Sequence, residues 1–195
     1  MVYPRGVPEP AIRASFFHAN LAALSALGAD AERRVRARIP AELLREIEEA
    51  ARVAWLPVEH DVLLTDAIDA ELGRAALRRW ARDGVLRATE GPLLSPIVRS
   101  ARAIFGITPA SMLRRAPQAW RMLYRDCGRL VYEAVGERGA RVELLDSPAV
   151  LLRSTPYLDG LGAGLEAAMV LTGHQGEARL AVDTAAGRAR YACTW

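Results

Sequence analysis

Residues 128–145 read GRLVYEAVGERGARVELL, and this stretch decides the fold class. Two alternating runs, 130–135 and 141–145, flank the Gly-bounded loop Gly136-Glu-Arg-Gly139, the signature of a β-hairpin. Downstream, Thr155 and Pro156 open a helix. Leu158, Leu161, Leu165 and Met169 share one of its faces, and Gly173 ends it. A second hairpin follows, with runs 178–183 and 188–195 around Gly187. In its last run Ala189, Tyr191, Cys193 and Trp195 alternate with Arg188 and Arg190. The C-terminal part, from about residue 128 to 195, therefore reads ββ-α-ββ.

Upstream of Gly128 the period is helical. Residues 1–10, MVYPRGVPEP, form an extended lead-in, because each proline blocks helix around it. Helices are predicted over 12–27, stopping at Gly28, and over 30–54, broken at Pro40. Further helices are predicted over 57–72, 74–88, 93–105 and 109–126. In the 57–72 helix His60, Leu63, Leu64, Ala67 and Ile68 fall on one face, with Asp61, Thr65, Asp66 and Asp69 on the other. Trp120, Leu123, Tyr124 and Cys127 make another apolar stripe. Segregated helices and strands mean α+β, here an N-terminal helical bundle packed on a small antiparallel sheet. The expected organisation is one α+β domain over 11–195, helical to about 127.

Composition narrows the function classes. Hydrophobic residues make up 51% and charged residues 25%, which suits a packed core and argues against disorder. All 26 basic residues are arginine and the net charge is only +3. A codon bias explains that pattern better than phosphate binding, so nucleic acid is not an expected partner. Arg33, Arg34, Arg36, Arg38, Arg129, Arg141, Arg179, Arg188 and Arg190 read as a solvated surface. Cys127 and Cys193 lie far apart without a pairing motif, which suits a reducing compartment, and a cytoplasmic location is expected. No secretory h-region and no uninterrupted apolar run of ~18 residues occurs.

The catalytic inventory is thin. No Gly-x-Ser-x-Gly elbow and no phosphate-cradling Gly-x4-Gly-Lys loop is present. Gly160-Leu-Gly-Ala-Gly164 falls inside a helix, where close packing explains it better than a nucleotide. Glu59, Asp61, Asp66 and Asp69 could form a carboxylate pair but read as an exposed helix face. His18, His60 and His174 share no zinc-ligand spacing. Cys127 could be a reactive thiol, though a small packing residue suits its stripe better. His60, on an apolar face, is a candidate polar contact or a satisfied core histidine. A ligand would meet Trp55, His60, Trp120, Tyr124, Cys127 and Tyr157.

Trp55-Leu-Pro-Val-Glu59, Leu113-Arg-Arg-Ala-Pro-Gln-Ala-Trp120 leading to Tyr124-Arg-Asp-Cys-Gly128, and the closing Gly187…Tyr191…Trp195 resemble a paralogous domain family of myxobacteria. That family is similar to the 4-vinyl reductase domain, to haem-NO-binding sensors and to a TRAPP vesicle-tethering subunit. The resemblance covers residues 11–195 and implies a sensor or adaptor domain with an interior pocket between helices and sheet. The cysteine pair of the 4-vinyl reductase hairpin is replaced here by Thr184 and Ala189. The Tyr-x-Ser-x-Arg motif of the haem sensors is missing, the nearest string being Leu152-Arg-Ser-Thr-Pro-Tyr157. The expectation is therefore a non-enzymatic small-molecule-binding or regulatory domain without a cofactor, with haem and zinc both disfavoured. The alternative is a protein-interaction adaptor, a TRAPP-like homodimer or partner of a signalling protein. An enzyme acting on a small hydrophobic substrate is the third reading.

Overall fold

The structure, a computed structural model, describes residues 9–91, 95–96 and 108–195. The chain is α+β. Its helical part begins with β1 (Ala11–Arg13) and α1 (Ala14–Leu24), then α2 (Ala29–Ala37), α3 (Ala41–Glu49), β2 (Trp55–Pro57), α4 (Val58–Leu72) and α5 (Arg74–Glu90). Beyond residue 107 come α6 (Pro109–Leu113), α7 (Ala116–Leu123) and β3 (Tyr124–Arg125). Thr108 caps α6 by accepting from the backbone N–H of Ser111, whose side chain answers to the Thr108 N–H. The helix predicted over 93–105 lies outside the described residues, apart from 95–96.

Sequence periodicity passes over one feature here. β1, β2 and β3 form a small antiparallel sheet in the order β2-β1-β3, pairing Ile12 with both Leu56 and Tyr124. Three strands of two or three residues are too short to show a period of two. They nonetheless end α7 at Leu123 and set Tyr124 into the core.

The C-terminal part comprises β4 (Arg129–Ala134), β5 (Gly139–Leu145), α8 (Ala149–Arg153), α9 (Thr155–Val170), β6 (Glu177–Asp183) and β7 (Arg188–Thr194). The four strands are antiparallel in the order β4-β5-β7-β6, so the two hairpins meet through β5 and β7. α8 is a short turn of helix that the sequence did not announce. α9 lies across the sheet, and the Tyr191 hydroxyl donates to the Leu158 carbonyl at 2.9 Å. Gly162 makes that approach possible, since a Cβ there would meet the Tyr191 ring at 3.3 Å. The other glycines of the run face the helices: a Cβ on Gly164 would come within 3.1 Å of Val85.

The arginines of the surface are largely neutralised. Arg33, Arg34, Arg36 and Arg38 pair with Asp30, Glu32, Glu48 and Glu71. Arg129, Arg141, Arg179, Arg188 and Arg190 pair with Asp146, Glu133, Glu177, Asp183 and Glu143. Exposed pairs of this kind contribute at most ~1 kcal/mol each to stability, but they leave no bare cationic face at these residues. No described helix is long and apolar enough to cross a membrane.

Candidate functional site

α4 carries the first element of the site, and it turns a different face inward from the one its apolar residues suggest. Val58, Asp61, Val62, Leu64, Thr65 and Ile68 are buried, whereas Leu63 is 49% exposed. Asp61 and Thr65 sit one turn apart at 3% exposure each. Both are buried because both are satisfied. The Asn20 side-chain amide donates to Asp61 Oδ1 at 3.1 Å, and the Thr65 hydroxyl donates to the Asp61 carbonyl at 2.5 Å. A reading that assigns every aspartate to solvent misses this pair.

Asn20 is itself fixed. The Trp80 indole N–H donates to its backbone carbonyl at 2.7 Å, and Gly84 leaves room for its side chain. Around Asp61 and Asn20 lies an inner cavity of about 60 Å³, walled by Phe16, Trp80, Tyr124, Tyr157 and the helix-facing glycines Gly160 and Gly164. This is room for a few non-hydrogen atoms, several times the space that one water needs. The Tyr157 hydroxyl, on a residue 4% exposed, is buried beside the Tyr124 hydroxyl, which in turn neighbours the Asp61 carboxyl.

Burial dominates the electrostatics. Removal from water pushes the Asp61 carboxyl up to about 7, offset only in part by Asn20 and the neighbouring Tyr124 hydroxyl. The same desolvation raises Tyr124 and Tyr157, with the Asp61 charge adding to it, so both phenols stay protonated. The end of the cavity thus holds one acid that titrates near neutrality and two neutral hydroxyls.

Phe16, Val85, Tyr124, Leu161 and Gly164 also wall a second chamber, of about 130 Å³, on the other side of these shared residues. Its remaining lining includes Met112, Trp120, Leu123, Leu130, Leu165 and Ala168. The Trp120 and Tyr124 rings stack at 3.9 Å, and the Trp120 N–H donates to the Gly128 carbonyl at 3.2 Å. The chamber is partly open to the surface, and its size and apolar lining suit one ring or a short alkyl chain.

Of the residues singled out from sequence, Trp120, Tyr124 and Tyr157 come together here. Trp55 does not: it lies between the guanidinium groups of Arg13 and Arg125, 3.8 and 5.1 Å from its ring centre. Neither does His60, half-buried beside Glu59; burial lowers its pKa and its Nδ1 makes no hydrogen bond. Cys127 lies behind Tyr124, hydrogen-bonded to the carbonyls of Ala11 and Arg125, and burial pushes its thiol up to about 12. Asn20, Asp61 and Thr65 are the polar residues that sequence reasoning did not place in a site. The available signal was a polar pair, Asp61 and Thr65, bracketed by Val58, Val62 and Ile68.

No protein-family model matches the sequence, and no curated protein matches it. Solved structures do. An Fe(II) unliganded H-NOX protein from K. algicida superposes with a TM-score of 0.64 at 9% identity, over 94% of this chain and 96% of the other. An oxygen-binding H-NOX domain related to soluble guanylate cyclases, in its oxygen complex, gives 0.60 at 11% identity, over 93% of each chain. An H-NOX structure from work on haem distortion gives 0.62 at 12%, over 94% and 95%. At these identities the likeness is one of fold, and it agrees with the haem-NO-binding resemblance read from the sequence.

The expectation of no cofactor is corrected by these neighbours. The solved domains that share the fold are haem proteins, so haem is the cofactor to which the fold points. A haem needs an axial ligand, most often a histidine, and room for a macrocycle. The inner cavity and its chamber do not fit a histidine-ligated haem: none of the three histidines lines them, and each is below the roughly 300 Å³ at which cofactor-sized pockets begin. Histidines and cationic groups share roomier walls elsewhere: His174 with Arg82 in an outer hollow of about 500 Å³, and His18 in another of about 600 Å³. There His18 lies with Arg13, Arg52 and Arg87, its Nε2 2.7 Å from the Ile47 carbonyl.

Proposed function

We propose that this chain is a small-molecule sensor domain whose ligand occupies the inner cavity and the apolar chamber that shares its walls. The observation that carries the reading is a small space walled at one end by three buried polar residues, Asp61, Tyr124 and Tyr157, none of them facing a cation among the described residues. A cavity kept only as a packing fault would be lined by hydrocarbon throughout. This one has an apolar body and a polar end, the usual make-up of a ligand pocket. The likeness to H-NOX domains supports a sensor, since one of those neighbours is an oxygen-binding domain. A histidine-ligated haem in this chain would find a histidine beside cationic groups for its propionates in the hollow of His18, Arg52 and Arg87, or in that of His174 and Arg82.

Denaturing mass spectrometry of the purified folded protein, together with its absorption spectrum, tests the reading. A stoichiometric molecule of about ten non-hydrogen atoms or fewer, released on unfolding and lost in a variant with a filled chamber, is the expected result. A stoichiometric Soret band that survives in that variant and is lost in His18→Ala or His174→Ala would put the sensing site in an outer hollow and overturn it.

A further inference from the structure

Resting on that reading of the inner cavity, we propose that its ligand is a small hydrophobic amine, whose ammonium group pairs with Asp61 while its hydrocarbon fills the chamber beside Trp120.

Asp61 and Glu166 are the two buried acidic residues among those described. Glu166 is treated as a buried carboxylate normally is: Arg78 and Arg82 donate to it at 2.6 and 3.1 Å, and the Ala178 N–H at 3.1 Å. Asp61 has no such counter-ion. The groups that face it are the Asn20 amide from α1, the Tyr124 hydroxyl from β3 and Tyr157 from α9, with Cys127 beyond. α5 contributes Trp80, Ala81 and Val85 to the same walls, and none of them carries a charge. In a chain with 26 arginines, a buried acid without a guanidinium is a vacancy for a cation from outside.

An ammonium group matches the rest of the lining. Its three N–H donors could meet the carboxylate and the lone pairs of the Tyr124 and Tyr157 hydroxyl oxygens. Phe16, Trp80, Tyr124 and Tyr157 place aromatic rings around the same end, and ring faces attract a desolvated cation. The adjoining chamber, nearly free of polar surface, would take one ring or a short alkyl chain. A neutral alcohol could bond to Tyr157 but would leave the carboxyl protonated. The two classes therefore differ in charge, and pH separates them. As the ammonium group enters, the Asp61 proton leaves to solvent.

The test is isothermal titration of the intact chain with benzylamine and with its neutral isostere benzyl alcohol, at pH 6 and pH 8. Benzylamine should bind at least ~10-fold more tightly than benzyl alcohol at pH 8 and lose about tenfold by pH 6, as expected for displacing a proton from a group that titrates near 7. Benzyl alcohol should show no such change. Asp61→Asn should remove the preference for the amine and keep the alcohol's affinity, while Tyr157→Phe should weaken the amine severalfold. Equal, pH-independent binding of both compounds would overturn the amine proposal and leave the cavity reading standing. Persistence of the amine preference in Asp61→Asn would also overturn it. Binding of neither compound would remove both.

Discussion

Asn20 on α1 donates its side-chain amide to Asp61 on α4 at 3.1 Å, joining two buried polar residues 41 positions apart. The contact ties the first helix to the fourth and leaves a carboxyl in the core without a cation. Asn20 lowers the cost of ionising that carboxyl but does not cancel it.

The first prediction concerns stability against pH. Asp61 is raised to about 7 from an ordinary 3.8, so between those values the folded state holds a proton that the unfolded state has released. Stability therefore falls as pH rises through this window, and the loss is complete above about 7. At one pH unit per 1.36 kcal/mol the full loss is about 4 kcal/mol. Asp61→Asn cannot titrate and should escape it. Urea unfolding midpoints from pH 4.5 to 8.5 should diverge, with the variant the more stable at the alkaline end. Parallel curves would show that Asp61 titrates normally.

Glu166 is a buried acid held by partners that Asp61 lacks. Its carboxylate joins Arg78 and Arg82 of α5 to the start of β6 through the Ala178 N–H. Glu166→Ala leaves the Ala178 N–H without its acceptor and Arg82 without its carboxylate, while Arg78 keeps Asp159, and should cost about 1–3 kcal/mol. Glu166→Gln keeps an acceptor for Ala178 and should cost less. Chemical denaturation of the two variants at pH 7 checks the order, and equal losses would mean that charge alone matters there.

Much of this architecture was legible in the sequence. Both hairpins are bounded by glycines and alternate strongly enough to be read directly, and Tyr191 and Cys193 are buried as their alternation required. The small sheet was not legible, because Ile12, Leu56 and Tyr124 pair through strands of two or three residues. Half of the site was legible for a simple reason: aromatic residues such as Trp120 and Tyr124 announce burial. Asp61 and Thr65 do not, since what buries them is Asn20, a partner remote in sequence, and a backbone carbonyl. The inward face of α4 was therefore read about a residue out of phase, centred on His60 rather than on its neighbour Asp61.

Gly128 offers a test of how the chamber is held. It adopts φ of 78°, and a Cβ there would meet the Leu145 carbonyl at 2.4 Å, while its own carbonyl accepts from Trp120. Gly128→Ala should therefore cost at least ~2 kcal/mol, from the left-handed backbone and the clash together. It should also release the Trp120 indole, visible as a red shift and broadening of its fluorescence in a Trp55→Phe, Trp80→Phe and Trp195→Phe background. An unchanged spectrum would show that the Gly128 contact does not hold the ring.

Gly164 separates binding from stability more cleanly. It lies on α9 between the polar end and the apolar chamber, with Val85 3.1 Å from where a Cβ would stand. Replacing a mid-helix glycine with alanine favours folding by about 1 kcal/mol through backbone entropy, and the tight Val85 contact offsets part of that. The added methyl takes up space at a wall that both chambers share. Gly164→Ala should therefore leave stability within ~1 kcal/mol of the parent while weakening a ligand that spans both chambers severalfold or more. Thermal unfolding without ligand, paired with benzylamine titration, reads the two effects separately. Unchanged affinity in a protein of unchanged stability would show that the ligand does not lie against Gly164.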